Sequence, residues 1–168
     1  MRRSLVAAAL LLAAAVQAQP LPQQAQPPSE APPPPPLRLE GLVPLDVARS
    51  PGVRWGLDPQ SLQVTPDGLV RYVAIAQSDS GAVNAFYETL NCVTAEVKVQ
   101  ARRGRDGDWV RAGESQAWRS LQDGAATRHS LAMARSGACN GPMANGSAAQ
   151  ILRELRRNST GRYLNQSL

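Results

Sequence analysis

Cys92 and Cys139 are the only cysteines in this chain of 168 residues. Catalytic cysteine pairs usually lie two residues apart, so that one thiolate attacks and the other resolves. These two are far apart in the sequence, and an even number of cysteines is typical of structural disulfides in proteins of oxidising compartments. The sequence therefore predicts one disulfide between Cys92 and Cys139, with a redox-active pair as the less favoured alternative.

His129 is the only histidine, which excludes a site built from several histidines, and no metal or cofactor is predicted. A Ser-His-acid triad would need His129 together with Asp79, Asp123 or Glu114 and a serine. No motif of the nucleophile-elbow kind is present, and a lone histidine beside Arg128 is more typical of a surface or helix-capping position. We therefore predict no catalytic residue and keep a hydrolase-like site near His129 as the alternative.

Aromatic side chains on a sheet can bind glycans or peptides. The chain has three Trp, three Tyr and one Phe, so Trp55, Trp109 and Trp118 are favoured as core anchors. Asn84 and Tyr87 point to opposite faces of one strand, so they share no site without help from elsewhere. The candidate residues for a binding surface are Tyr72, Asn84, Tyr87, Trp109, Trp118 and His129.

The chain between Leu57 and Ala112 alternates with period two and is interrupted by turn sequences such as Thr65-Pro66-Asp67-Gly68. Short connections between successive strands indicate antiparallel neighbours. The predicted strands are Ser61 to Val64, Leu69 to Gln77, Ala82 to Cys92, Glu96 to Arg102 and Trp109 to Ala112. The expected fold is α+β and mainly β: an antiparallel meander of about five strands with a C-terminal helix packed on it, closed by one disulfide.

The C-terminal part has the pattern of a helix. Ser147 and Gln150 fit a capping box, and Ala148, Ile151, Leu152 and Leu155 share one helical face. A second, shorter helix is predicted from Thr127 to Arg135. The domain should span residues 38–158, and residues 159–168 are expected to form a disordered tail.

Residues 1–18 have the three parts of a secretory signal peptide. Arg2 and Arg3 precede an apolar run from Leu5 to Val16, and cleavage after Ala18 would leave Gln19 as the first residue. The run is shorter than the roughly 20 apolar residues that a membrane-spanning helix needs. The mature form is therefore expected to have no transmembrane segment, and no cysteine follows the run to carry a lipid anchor.

Residues 19–37 are rich in Pro, Gln and Ala and end in the run Pro32 to Pro36. Proline fixes φ and lacks the N–H donor, so this stretch is predicted to be a disordered, polyproline-like tether. It could act as a spacer, as a ligand for a proline-binding groove, or as a leader without a partner.

The formal net charge is +5, and Lys98 is the only lysine among 18 basic residues. Arginine excess can serve nucleic-acid recognition. Codon usage in a GC-rich genome, which favours Arg and Ala together, is the preferred explanation, and no aromatic-basic binding motif is present. No nucleic-acid partner is predicted.

The stretch from Asp67 to Val73, followed by Gly81-Ala82-Val83-Asn84, Tyr87-Glu88 and Cys92, resembles the cryptic neisserial protein (CNP-like) family of small exported β-proteobacterial proteins. The residues Trp109, Trp118, Arg128-His129 and Cys139 continue the resemblance downstream. It implies an envelope protein, in some members associated with the outer membrane, and brings no catalytic residues with it. We therefore expect a periplasmic or secreted, non-catalytic binding or structural module whose partner is an envelope protein or peptidoglycan.

Overall fold

The computed structural model describes residues 30–104, 106–113 and 115–165. The predicted signal peptide (1–18), the first part of the predicted tether (19–29), Arg105, Glu114 and residues 166–168 lie outside the described residues.

An eight-stranded antiparallel sheet is the centre of the fold. Its strands are β1 (Val43–Leu45), β2 (Val53–Leu57), β3 (Gln63–Val64), β4 (Val70–Ser78), β5 (Val83–Asn91), β6 (Glu96–Arg103), β7 (Trp109–Arg111) and β8 (Arg119–Ser120). Strands β1, β2, β4, β5, β6 and β7 are neighbours in that order, while β3 pairs with β4 and β8 with β6. The predicted antiparallel meander is confirmed.

The five predicted strands correspond to β3 to β7, whereas β1, β2 and β8 were not predicted. Pro44 is tolerated in β1 because β1 is an edge strand, where a missing N–H donor costs no ladder bond. Gly56 of β2 allows the chain before β1 to approach closely, since a Cβ at Gly56 would lie 2.9 Å from the Leu42 Cβ. The sequence thus places turn-forming residues inside true strands.

The larger core lies between the sheet and the C-terminal part of the chain. Tyr72, Val70 and Ala74 of β4 are fully buried on this face, and Ile151 and Leu155 of the last helix pack into the same cluster. Because β4 is buried on both faces, it reads as a nearly continuous apolar run, as the sequence indicates for a central strand.

The C-terminal part begins with a 3₁₀ turn (Gly124–Thr127), helix α1 (Arg128–Met133) and a π turn (Ala134–Ala138). A two-stranded ribbon of β9 (Cys139–Asn140) and β10 (Met143–Ala144) follows, and then helix α2 (Ala148–Asn165). Both predicted helices are present, and the Ser147 Oγ accepts the Gln150 backbone N–H at 3.3 Å. Helix α2 reaches into the stretch for which a disordered tail is predicted.

The predicted disulfide between Cys92 and Cys139 is present, with the two Cα atoms 5.7 Å apart. It ties the end of β5 to the ribbon that precedes α2. Closing a loop of this length should stabilise the domain by about 4 kcal/mol in the chain-entropy view.

The outer face of the sheet, opposite the helices, carries a second, smaller core made of Val73, Ile75, Ala85, Tyr87 and Ala101. Residues 30–37, which the sequence assigns to the tether, lie on this face, and Ala31 and Leu37 pack against the cluster. In the part of the chain that the structure describes, no helix is both long and apolar enough to cross a membrane.

Candidate functional site

The carboxylate of Glu88 is the centre of the main cluster of titratable side chains. Glu88 is 1% exposed. Its Oε2 accepts the Tyr72 hydroxyl at 2.9 Å and the Ser130 hydroxyl at 3.0 Å, and its Oε1 lies 2.8 Å from the His129 Nε2. Four side chains of types common in active sites therefore meet inside the core.

Three elements bring this cluster together. Tyr72 of β4 stands directly opposite Glu88 of β5, so the two side chains share the helix-facing side of the sheet. A β-bulge follows at this point, since Glu88 pairs with Val99 of β6 while Tyr87 pairs with Ala101. His129 and Ser130 come from the start of α1. Glu88 and Ser130 were not among the predicted site residues.

Burial dominates the electrostatics of the cluster. It raises the pKa of the Tyr72 phenol well above its ordinary value of 10.0, and the negative charge of Glu88 and the hydrogen bond to it act in the same direction. The phenol therefore keeps its proton and donates a hydrogen bond to the Glu88 carboxylate. Buried polar groups are costly unless they are hydrogen-bonded, and the donors around Glu88 offset that cost.

The His129 ring is held by aromatic neighbours as well as by Glu88. It stacks on Trp55 with centroids 4.3 Å apart and planes inclined by 7°, and Phe86 lies 5.3 Å away on centroids. The Trp55 indole N–H donates to the Ser50 Oγ at 2.9 Å. The expectation of a surface position for His129 was wrong, because the residue is only 4% exposed.

The hydrogen-bond order differs from that of a hydrolytic triad. In a triad the serine hydroxyl donates to the imidazole, and the acid lies on the far side of the imidazole. Here Ser130 and His129 both bond to Glu88, and Ser130 is 0% exposed. The acid that holds His129 is Glu88 rather than Asp79 or Asp123, while Glu114 lies outside the described residues. The arrangement is a closed core network.

The six candidate binding residues do not form one surface. Tyr72 and His129 are buried in the Glu88 cluster. Tyr87 and Trp109 belong to the outer face, where Tyr87 is 3% exposed and Trp109 is half-buried. Asn84 is exposed on the helix-facing side, opposite to Tyr87 as their alternation predicts, and Trp118 is half-buried just before β8.

Two cavities lie outside the network. One, of about 350 Å³, lies beside β1 and β2 and is lined by residues that include Leu45, Val47, Trp55 and Ser159. The other, of about 610 Å³, lies between Glu30–Pro34 and the strands β6 and β7. Among residues 30–104, 106–113 and 115–165, no three His, Cys, Asp or Glu side chains are grouped so that they could hold a metal ion.

One of three comparisons with known proteins, the scan against family models, agrees with the resemblance seen in the sequence. The model of the CNP1-like family matches residues 23–156, which include the whole sheet, the disulfide, the Glu88 cluster and residues 30–37. No curated protein and no solved structure matches the chain. The match spans well over half of the sequence, and the chain belongs to the CNP1-like family.

Proposed function

We propose that the chain is exported by its signal peptide, residues 1–18, and acts in the cell envelope as a non-catalytic binding module. Its place is periplasmic or secreted, and its partner is an envelope protein or peptidoglycan. Support for export comes from the charged start, the apolar run and the small residues before Gln19. A disulfide between Cys92 and Cys139 fits an oxidising compartment.

The burial of the Glu88 network is the observation that supports a non-catalytic function. Glu88, His129 and Ser130 are each at most 4% exposed, and their polar atoms bond to one another. A catalytic group must reach the atom of the substrate on which it acts. The network instead joins the sheet to α1, which is a stabilising role.

The binding part is supported by the half-buried aromatic side chains. Trp55 lines the cavity beside β1, and Trp109 lies on the outer face of the sheet. Trp side chains with a polar N–H and a large apolar ring are common anchors of binding surfaces. Trp55 borders a cavity and Trp109 contacts residues 30–37, and both side chains are half-buried, whereas the Glu88 cluster is enclosed in the core.

The test is in-cell crosslinking of the tagged full chain, followed by mass spectrometry of what it captures. A dominant envelope partner, captured by a chain whose first residue is Gln19, is the expected result. The control is Leu10→Arg, which interrupts the apolar run and should abolish both export and capture. Capture of nothing by the exported chain, or retention of residues 1–18 in a cytoplasmic chain, contradicts the proposal.

His129→Phe tests the hydrolase-like alternative in the same cells. The substitution keeps a flat ring against Trp55 but removes the Nε2 that bonds to Glu88. A binding module should still capture its partner, provided that the variant is folded at the growth temperature. If a folded His129→Phe protein captures the partner but loses the phenotype of the wild type, the site near His129 is catalytic.

A further inference from the structure

Residues 30–37 lie on the outer face of the sheet. Three of the residues that contact it are spaced three positions apart. Ala31, Pro34 and Leu37 are half-buried, as is Pro35, whereas Pro32, Pro33 and Pro36 are exposed. A polyproline II helix has three residues per turn, so residues spaced by three share one side of it. The half-burial of Ala31, Pro34 and Leu37 fits a polyproline helix that rests one side on a surface, and Pro35 widens the contact beside Pro34.

Two side chains of the sheet donate hydrogen bonds to carbonyl groups of this segment. The Trp109 indole N–H donates to the Pro35 carbonyl at 2.9 Å, and the Arg71 guanidinium donates to the Glu30 carbonyl at 3.4 Å. A polyproline II helix has no internal hydrogen bonds, so its carbonyls are free to accept from a partner. An aromatic ring that packs and donates in this way is typical of grooves that recognise proline-rich peptides.

Residues 30–37 are held by polar contacts at both ends, but a cavity lies beneath their first half. Beyond Leu37, the Arg38 guanidinium lies 3.4 Å from the buried Asp58 carboxylate. The cavity of about 610 Å³ separates Glu30, Ala31, Pro32 and Pro34 from Lys98 and Arg111. Leu39 and Glu40 are then exposed, and Gly41 has a φ of 66°. The segment thus rests on the domain and is followed by an exposed connection.

We propose that the outer face of the sheet is a binding groove for polyproline II peptides, occupied in this chain by its own residues 31–37. The ligand that fits is a proline-rich peptide of a partner protein with an apolar residue at every third position, which takes the place of the internal segment. This inference rests on the proposed function, because it names the ligand class of the binding module. The internal segment has a high effective concentration, so it keeps the groove filled until a competing peptide is present.

The experiment separates the segment from the domain without removing it during folding. A protease recognition sequence is inserted between Glu40 and Gly41 in the full chain, which folds intact and is then cut. A fluorescent peptide with the sequence of residues 30–40 is added, and its anisotropy is followed as the native fragment is released. We expect saturable binding that unlabelled peptide reverses.

Matched variants test the predicted spacing of contacts. In the peptide, Leu37→Asp changes a position that faces the groove and should weaken binding at least about tenfold, because it places a charge against apolar surface. Pro36→Asp makes the same chemical change at an exposed position and should alter binding by less than about twofold. In the domain, Trp109→Phe keeps a ring but removes the N–H, and it should weaken binding by about three- to tenfold.

The proposal is overturned if the cut chain, freed of its fragment, does not bind the peptide, or if Leu37→Asp and Pro36→Asp weaken binding equally. Should the cut chain unfold, the substitutions Leu37→Asp and Pro36→Asp are each made in the uncut chain. Cleavage at the inserted site must then be faster for Leu37→Asp than for Pro36→Asp, and equal rates reject the groove. If the crosslinked partner binds another surface of the domain, the proposed binding function is supported and the polyproline groove is rejected.

Discussion

The His129 imidazole lies nearly parallel to the Trp55 indole, with centroids 4.3 Å apart. Trp55 belongs to β2 and His129 to α1, so the stack joins the edge region of the sheet to the first helix. Through Glu88 the same imidazole is connected to Tyr72, and therefore to the two central strands. One buried network thus connects β2, β4, β5 and α1, and substitutions in it should change stability.

Removal of the Glu88 carboxylate should be strongly destabilising. Glu88→Ala leaves three polar partners unsatisfied in the core and also creates a cavity, so we expect a loss of about 3–5 kcal/mol in the free energy of unfolding. Glu88→Gln keeps the shape but places an amide donor among donors, with an expected loss of about 1–3 kcal/mol. Urea denaturation measures both. Glu40→Gln makes the same chemical change at an exposed position and should cost almost nothing, so equal stabilities of Glu88→Gln and Glu40→Gln would disprove the role of the network.

The Tyr72 phenol should make the domain sensitive to alkaline pH. Its pKa is raised above 10.0 in the folded state, so as the pH rises past about 10 the unfolded chain releases this proton while the folded chain retains it. The stabilisation is complete below about pH 10 and is lost as the pH rises toward the folded pKa. Tyr87, whose pKa burial also raises, acts in the same direction.

Comparison of the wild type with Tyr72→Phe isolates the contribution of Tyr72 to the loss of stability at alkaline pH. At pH 8 the variant should be less stable by about 1–2 kcal/mol, because Glu88 loses a donor. This difference should shrink as the pH rises above about 10, since Phe has no proton to lose. Denaturation curves across this range measure it, and a difference that stays constant would show that Tyr72 does not titrate with folding.

The sequence predicts the central strands because their turns are explicit. Ser78 to Gly81 fixes the hairpin of β4 and β5, and counting outward from its Gln77–Val83 pair places Tyr72 opposite Glu88. The pairing of Tyr72 with Glu88 could therefore be predicted from the sequence. The contacts of His129 and Ser130 could not, because they lie 41 and 42 residues from Glu88 and arrive through packing of α1 on the sheet. Strands β1 and β2 were missed because Pro44 and Gly56 are typical of turns, and only the edge position and the contact with Leu42 explain them.

Reduction of the disulfide should lower stability by about 4 kcal/mol, because the freed chain between Cys92 and Cys139 gains entropy when unfolded. Thermal unfolding with and without reductant measures the effect. The double variant Cys92→Ala/Cys139→Ala should resemble the reduced wild type and be insensitive to reductant. An unchanged melting temperature of the reduced wild type would refute a stabilising role.

Gly137, in the π turn before β9, should be the glycine whose replacement by alanine costs most. Its φ of 135° is a conformation that side chains rarely adopt, and an added Cβ would lie 2.6 Å from the Glu154 Cβ of helix α2. Strain and overpacking together predict a loss of at least about 3 kcal/mol for Gly137→Ala. The control is Gly141→Ala in the neighbouring ribbon, because Gly141 has a φ of 57° but no atom within 4 Å of the added Cβ.

Gly141→Ala should cost only about 1 kcal/mol, the conformational penalty without the clash. Urea denaturation of the two variants therefore separates close packing from backbone strain. A similar loss of unfolding free energy in both variants would mean that α2 shifts at Glu154 to accommodate the added methyl group, so that its packing against the π turn is not rigid. A much larger loss in Gly137→Ala means that α2 is held against the turn, because the helix cannot retreat from the added methyl group while Ile151 and Leu155 stay buried in the core.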